Sequence, residues 1–584
     1  MNPVANRFVD KVLGRMTLDE KIGQCITMVW RGSLVTPSVV EEITRLHVGG
    51  LRVEPIFTES AMRQYYKHST KAKNFRKPKG YFKIAETYFR PHDVPLTVTA
   101  TEYARRLNRL KEIAMNRPSG VPLHVTTDFE GGYSHDFSFD GINIFPANMG
   151  LRAAGGPDLA YQVGRAIGLQ LSAIGINMIH SPVCDINTNP KNPEIEVRSF
   201  SDDPDVFLQY VVRFWEGLED GGLIATGKHF PGRGASDSDA HYGLPYINLP
   251  RRRLEEVELA PYRALIAKGL KAVMTAHTVY PGLDPDGQIA TLSSKILIDV
   301  LRHELGFDGV ITTDAMGMGA IATTYGVPRG CAMALKAGCN LVLPKFEGEL
   351  RSQVFFEIKR WADEGRLTEA ELDDRVRRTL LMKHRAGLFE NGGLVDPEKA
   401  SPTLHREDLC TLGRDVARKA ALLLRDRQKL LPLSPHKRVM VVEQVPRPEL
   451  VANTLDLHSH ILNEAILAHS LNVVNVATDF AASPDERRRV LAVAKEVDVV
   501  VITNYYLRSD GETQAGLVRE LVRRGHTVVV VTTSPDPRGA VPEAGTVLVP
   551  FGAAPHMVRA AAEVLYGTRK APGRWPLEHT KRPK

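Results

Sequence analysis

From residue 25 to residue 343, short apolar, β-branched runs alternate with segments whose apolar positions recur at three- and four-residue spacing. The runs predict strands at Cys25–Val29, Val48–Val53, Pro122–Thr126, Ile174–His180, Leu223–Thr226, Ala272–Ala276, Val310–Thr313 and Leu341–Leu343. Helical patterns such as DLAYQVGRAIGLQLSAIG and LEEVELAPYRALIAKG lie between them. Eight strand–helix repeats predict an α/β fold of the (β/α)8 TIM-barrel type. The same alternation also fits a doubly wound sheet, because periodicity does not register closure.

The polar residues that follow the runs favour the barrel. In barrel enzymes the chemistry gathers at the C-terminal strand ends. Five successive runs here end at Asp128, Asp185, Lys228-His229, His277 and Asp314. An aspartate after a strand also serves as a helix N-cap, so each member has a structural alternative. The set as a whole points to a site.

Between the second and third runs, the helix TEYARRLNRLKEIAMN accounts for the ordinary crossover and leaves 54–97 as an insertion. Residues 67–83, KHSTKAKNFRKPKGYFK, hold seven Lys and Arg and no acid, which equals the net charge of +7 of the whole chain. Tyr65, Tyr66, Phe75, Tyr81 and Phe82 interleave with these charges, a pattern open to an anionic ligand or to a solvated loop. No other segment suggests nucleic-acid binding, so none is expected. Beyond Phe389, ENGGLVDPEKASPTL reads as a linker. RVMVVEQV, LNVVNVA, DVVVITNYY, TVVVVTTS and GTVLVPFG then alternate with helical segments as a parallel α/β sandwich. The expected division is a barrel over 1–390, a linker over 391–414 and a sandwich over 415–584.

Composition narrows the function classes. At 584 residues the chain exceeds one core. It has no run of about 18 apolar residues, so no membrane span is expected. Its start lacks the basic-then-apolar plan of a secretory signal. Cys25, Cys184, Cys331, Cys339 and Cys410 are scattered without CxxC spacing, which argues against disulfides and structural zinc. A cytoplasmic location is expected. The oligomeric state has no signal.

Three motifs bear on chemistry. GLIATGKH approaches a phosphate loop, but His229 stands where the magnesium-binding Ser or Thr belongs and the interior is a strand. A metal-dependent barrel hydrolase would recruit a His-x-His pair at the first strand, which reads CITMV. No metal or cofactor is therefore expected. The third is KHFPGRGASDSDAHYGLP, residues 228–245, followed by ITTDAMGM. Retaining glycosidic cleavage needs a nucleophile on one side of the anomeric carbon and a proton donor on the other. Asp314 can be the nucleophile, and His241 can be the donor when Asp239 fixes its tautomer. Gly232, Gly234 and Gly243 bracket the pair and predict a loop that changes conformation during turnover.

These residues, with MTLDEKIGQ, TDFEGG and INMIHSPVCDINTNPKNPEIEVRSFSDDP, resemble glycoside hydrolase family 3, in particular its bacterial β-N-acetylglucosaminidase branch. The second domain fits as well, from ARKAALLLRDRQKLLPL to YGTRKAPGRWPLE. The resemblance implies Asp314 as nucleophile, His241 as acid/base and Asp239 as its partner. It implies Asp128, Arg198, Lys228 and His229 as residues that hold the sugar hydroxyls. The implied reaction is retaining removal of terminal β-linked N-acetylhexosamine, without cofactor, from cell-wall or chitin-derived oligosaccharides. Phosphorolysis by the same pair, β-glucosidase or β-xylosidase activity, and a catalytically degenerate sugar-binding protein stand as alternatives. Three departures from the branch pattern bear on the substrate: Arg233 in place of His, Tyr133-Ser134 in place of Arg-Val, and the 54–97 insertion.

If the basic insertion selects an anionic substituent, deleting 67–83 will weaken turnover of anionic substrates more than neutral ones. The difference will shrink as salt is raised. Equal loss for both classes would leave the insertion a structural role.

Overall fold

The computed structural model describes residues 3–55, 98–132, 134–241, 243–345, 349–444, 460–506 and 513–583. The basic run 67–83 and Tyr133 lie outside the described residues. Eight parallel strands form one sheet: β1 (Thr27–Arg31), β2 (Gly50–Glu54), β3 (His124–Thr127), β6 (Met178–Ile179), β7 (Ile224–Phe230), β8 (Ala272–Thr275), β9 (Val310–Ala315) and β10 (Leu341–Leu343). They neighbour one another in chain order. A parallel bridge between Ile26 and Val342 joins the first strand to the last, and Val342 N–H donates to Cys25 O at 2.9 Å. That contact closes the barrel and removes the doubly wound alternative.

All eight strands fall where the apolar runs predicted them, with ends displaced by a few residues. The largest difference is at β6. The run Ile174–His180 looks continuous, but Ile174 ends the helix Pro157–Ile174, which Gly175 caps in the left-handed region at φ 102°. Only Met178–Ile179 remains for the sheet. At β7 the strand continues past Thr226 through Lys228 and His229, so two polar side chains lie inside a buried strand. The crossover helix Ala100–Met115 starts at a capping box. Thr99 Oγ1 accepts from Glu102 N–H, and the Glu102 carboxylate accepts from Thr99 N–H, both at 3.2 Å.

The barrel interior is packed at its lower end around His124. Its Nε2 lies 2.8 Å from Thr27 Oγ1, and the whole ring is buried. Burial pushes its proton affinity well below that of an ordinary histidine, so the ring is neutral. The ring occupies the space beside Gly50, where a Cβ would stand 2.1 Å from Nε2. Only glycine lets β2 pass the imidazole.

The second sheet has the order β11-β16-β15-β14-β12-β13, with β11 (Leu422–Asp426) antiparallel to β16 (Thr546–Val549). The other pairs, among β12 (Val439–Gln444), β13 (Val473–Thr478), β14 (Val499–Thr503), β15 (Val528–Val531) and β16, are parallel. The segment expected as a linker is largely helical, with Ala400–Leu404 and Glu407–Ala420 burying Ala400, Leu404 and Leu409 in the apolar cluster that also fills the barrel wall. EDLCTLGRDVARKA carries helix-spaced apolar positions that the preceding Gly-Pro-rich stretch masked in the sequence. We propose 1–390 and 415–584 as the folding units, with 391–414 as a packed connector. Among the described residues no helix is long and apolar enough to cross a membrane.

Gly50→Val will lower stability by about 1–3 kcal/mol through overpacking against His124. Gly156→Ser, at a helix N-cap where a Cβ meets nothing within 4 Å, will not. Urea unfolding of the two variants beside the parent protein checks this.

Candidate active site

The strand ends and the loops that follow them carry the seven expected site residues. Asp314 is the penultimate residue of β9, and its Oδ1 accepts the Ala315 N–H at 2.7 Å. It caps no helix, because the next one begins at Gly319 behind Met318. The N-cap alternative therefore fails for this residue. Asp128 also precedes no helix: the chain turns into the hairpin β4 (Phe129–Gly131) and β5 (Ser134–His135).

Asp128 is held from two sides. Lys228 Nζ lies 2.7 Å from its Oδ1, and Arg52 Nη2 lies 2.5 Å from its Oδ2. Arg52 also reaches Asp136 at 2.9 Å. Burial would raise the Asp128 pKa, but Lys228 and then Arg52 hold it well below the usual range. Lys228 continues to Glu130 at 2.5 Å. Arg198 grips Glu130 with two bonds, Nε at 2.8 Å and Nη2 at 3.0 Å. Burial opposes ionisation of Glu130, yet Arg198 and Lys228 bring it down to about 2.

His229 is held from behind. Its Nδ1 lies 2.8 Å from Asp185 Oδ2, and its Nε2 lies 3.8 Å from Asp314 Oδ2. Burial, followed by Arg233, lowers the His229 pKa well below 6.5, whereas burial raises Asp185 to about 7. A neutral ring donating from Nδ1 satisfies both, and the contact is a hydrogen bond rather than an ion pair. Nε2 is left as an acceptor on the site side. Asp185 and His277, flagged among the strand ends, do not reach the opening. Both are fully buried. His277 bridges Thr291 Oγ1 at 2.7 Å and Ala315 O at 3.1 Å, bracing the end of the strand that carries Asp314.

The Asp239–His241 pair faces Asp314 from a loop after β7. Asp239 Oδ1 lies 2.7 Å from His241 Nδ1 and accepts the His241 backbone N–H at 2.9 Å. Asp239 thereby engages Nδ1, and Nε2 is the ring nitrogen on the other edge of the imidazole. Ala240 packs with Ala315 and Met318, joining this loop to the β9 end. The first half of the loop is pinned: Asn192 Nδ2 donates to Arg233 O at 2.9 Å and to Gly234 O at 3.0 Å. A Cβ on Gly234 would stand 1.6 Å from Ile186 O, so this glycine serves close approach. Gly243, where a Cβ meets nothing within 4 Å, is the open end of the loop.

Sequence reasoning missed five charged residues of the mouth: Arg52, Glu130, Asp136, Glu194 and Lys345. Glu130 and Glu194 lie inside the quoted TDFEGG and INMIHSPVC…RSFSDDP stretches, two residues from Asp128 and four from Arg198, so proximity was their one signal. Lys345, just past β10, is pushed down to about 7 by burial. Arg233, noted only as a departure, is 2% exposed and reaches Glu194 at 2.9 Å and Asp314 Oδ2 at 3.6 Å. Burial would raise the Asp314 pKa, but Arg233, followed by His277 and His241, holds it below 3.8, so the carboxylate is anionic at neutral pH. Among the described residues, Glu194, Asp239 and His241 place three potential metal donors within 4.8 Å of one another. A cation there would share Glu194 with the Arg233 guanidinium, which disfavours it on charge.

A closed parallel barrel with an anionic carboxylate and a carboxylate-backed imidazole at its C-terminal mouth has the parts of a glycosidase site. The Glycosyl hydrolase family 3 N terminal domain matches residues 17–382, and the chain belongs to that family. Beta-hexosaminidase A of Pseudoalteromonas piscicida is 30% identical over 361 residues, 56% of this chain and 60% of the relative. The chain thus spans less than two thirds of that relative's length. A Beta-N-acetylglucosaminidase/beta-glucosidase of Cellulomonas fimi is 26% identical over 448 residues, 75% of this chain and 70% of the relative. The solved structure of a family 3 β-N-acetylglucosaminidase from Paenibacillus sp. str. FPU-7 superposes with a TM-score of 0.80 at 29% identity, covering 97% of this chain and 99% of that one.

Folding lowers the Glu130 pKa from 4.5 to about 2, so its ionised form stabilises the native state above about pH 4.5, and that contribution is lost as pH falls through about 2. Glu130→Gln will cost about 3 kcal/mol at pH 7. The gap to the parent protein will stay level down to about pH 4.5 and narrow below it, as urea unfolding across pH will read.

Proposed function

We propose that the protein is a retaining, exo-acting glycoside hydrolase that removes terminal β-linked N-acetylhexosamine. The observation that carries this reading is the anionic Asp314 at the end of β9 and the Asp239-backed His241 on the loop after β7, both at one mouth. The names of the hexosaminidase relatives support the sugar.

In the first step an Asp314 carboxylate oxygen attacks the anomeric carbon. The bond from that carbon to the leaving-group oxygen breaks, and its electron pair stays on the oxygen, which takes the Nε2 proton of His241. In the second step neutral His241 takes a proton from water as water attacks the same carbon, freeing Asp314. Nδ1–H stays on Asp239 Oδ1 throughout, which holds the tautomer. Asp128, Lys228, Arg198 and His229 offer acceptors and donors to the ring hydroxyls. Asp128 and Lys228 are preorganised by their salt bridge, Arg198 by Glu130 and His229 by its hydrogen bond to Asp185, so they pay little to orient. Arg233 beside the nucleophile favours a second reading, phosphorolysis, since a cation there lowers the cost of bringing in an anionic acceptor. Turnover of aryl N-acetylglucosaminide and aryl glucoside, each with and without phosphate, separates these readings.

Asp314→Asn will abolish turnover of every glycoside. His241→Ala will keep cleavage of a nitrophenyl leaving group but lose on the order of 10²–10⁴-fold on a sugar leaving group, with a glycosyl-enzyme accumulating as a mass shift. Uniform loss across leaving groups without a trapped intermediate removes His241 from the mechanism.

A further inference from the structure

The charges behind the nucleophile and the acid/base form one continuous line. Asp314 Oδ2 lies 3.6 Å from Arg233 Nη2, which lies 2.9 Å from Glu194 Oε1, which lies 3.4 Å from His241 Nδ1. Asp239 Oδ1 completes the line at 2.7 Å from the same Nδ1. Glu194 and Arg233 are each 2% exposed, and their backbones are tied together through Asn192. The Asn192 amide donates to Arg233 O at 2.9 Å and its oxygen accepts the Glu194 N–H at 2.9 Å. Arg233 N–H also donates to Asp185 Oδ1 at 2.8 Å. Burial opposes ionisation of Glu194, but Arg233, then His241, hold it well below 4.5, so it carries a full charge.

We infer that Glu194 is a positioning residue that, through Arg233, couples the charge on Asp314 to the proton affinity of His241. This rests on the roles proposed above. Nδ1 faces two carboxylates. Asp239 makes the hydrogen bond, and Glu194 at 3.4 Å acts through its charge. In the free enzyme Arg233 is shared between Asp314 and Glu194. The imidazolium then feels Asp239, Glu194 and Asp314 as anions against Arg233 and Arg198, the latter 3.8 Å from Glu194. His229 and His277 also face this group, and burial keeps both neutral. When Asp314 becomes a glycosyl ester its negative charge disappears. The guanidinium then bears on Glu194 alone, and His241 loses part of the field that favoured its proton. Its proton affinity falls at the step where it must act as a base, and rises again when water frees Asp314. Asp239 shares a loop with His241 and bonds its ring directly, whereas Glu194 is the carboxylate that also meets Arg233.

The test is the pH profile of kcat/KM on a substrate with a sugar leaving group, in which the acidic limb reports Asp314 and the basic limb reports His241. Glu194→Gln removes an anion from beside the imidazole and leaves Arg233 wholly to Asp314, so both limbs will move down by about one pH unit. Glu194→Gln combined with Arg233→Met removes both charges, and the limbs will move back toward the parent values. Lower activity with unshifted limbs would overturn the inference and leave Glu194 a structural partner of Arg233. A measurement independent of turnover uses histidine NMR. Asp314→Asn, which imitates the charge loss, will lower the His241 pKa, and the drop will be smaller when Glu194→Gln is also present. An equal drop in both backgrounds overturns the inference as well. If the basic limb persists in His241→Ala, the acid/base assignment fails instead, while the NMR comparison still decides the coupling.

Discussion

Charge alternation under low dielectric is the constraint on which the mouth of this barrel depends. An isolated buried carboxylate or guanidinium costs several kcal/mol, so each must sit against an opposite charge. Arg52 stands between Asp128 and Asp136, Lys228 between Asp128 and Glu130, Arg198 on Glu130, and Arg233 between Glu194 and Asp314. No pair in this set is independent, since each cation serves at least one acid that another cation also touches or that the substrate must meet. The arrangement locks rotamers that a solvated site would leave free. It thereby presents oriented charge at the barrel mouth.

Behind this layer lies a neutral one. His229, His277 and His180 are all kept uncharged by burial, His180 at about 3. His229 and His277 contribute hydrogen bonds without adding positive charge to the mouth. The second domain closes the outside. Phe551 O accepts the Ala147 N–H at 3.0 Å, and the Asp202 carboxylate accepts the Glu578 and Thr580 N–H groups at 2.8 and 2.7 Å. The loops that carry Glu130, Glu194 and Arg198 are therefore backed by protein on the side away from the barrel axis.

Much of the fold was legible because burial on both faces of a parallel strand leaves a continuous apolar run, and the eight runs did so. Boundaries were less legible. Ile174 reads as strand by composition but belongs to a helix, and β7 continues through Lys228 and His229, where the apolar signal stops. The stretch 391–414 reads as linker from its glycines and prolines, yet Leu404 and Leu409 are buried. Tertiary contact overrides local propensity at each of these places. In the candidate site, residues that end strands or sit in a motif were legible as candidates. Arg52 and Lys345, whose role depends on which strand lies beside which, were not.

The order of polar residues at strand ends, and the spacing of Asp239 and His241, are properties of the chain itself. They were enough to favour a barrel and to raise Asp314 and His241 as a candidate nucleophile and donor, because local spacing determines which side chains a strand end or a tight loop can present. Closure through Ile26 and Val342, the neutrality of His229 and the burial of Arg233 between Glu194 and Asp314 are not written in any one segment. They arise from segments 39 to 316 residues apart brought within hydrogen-bonding or ion-pairing distance. Proton affinities depend on that proximity and on exclusion of water, which only the folded barrel provides.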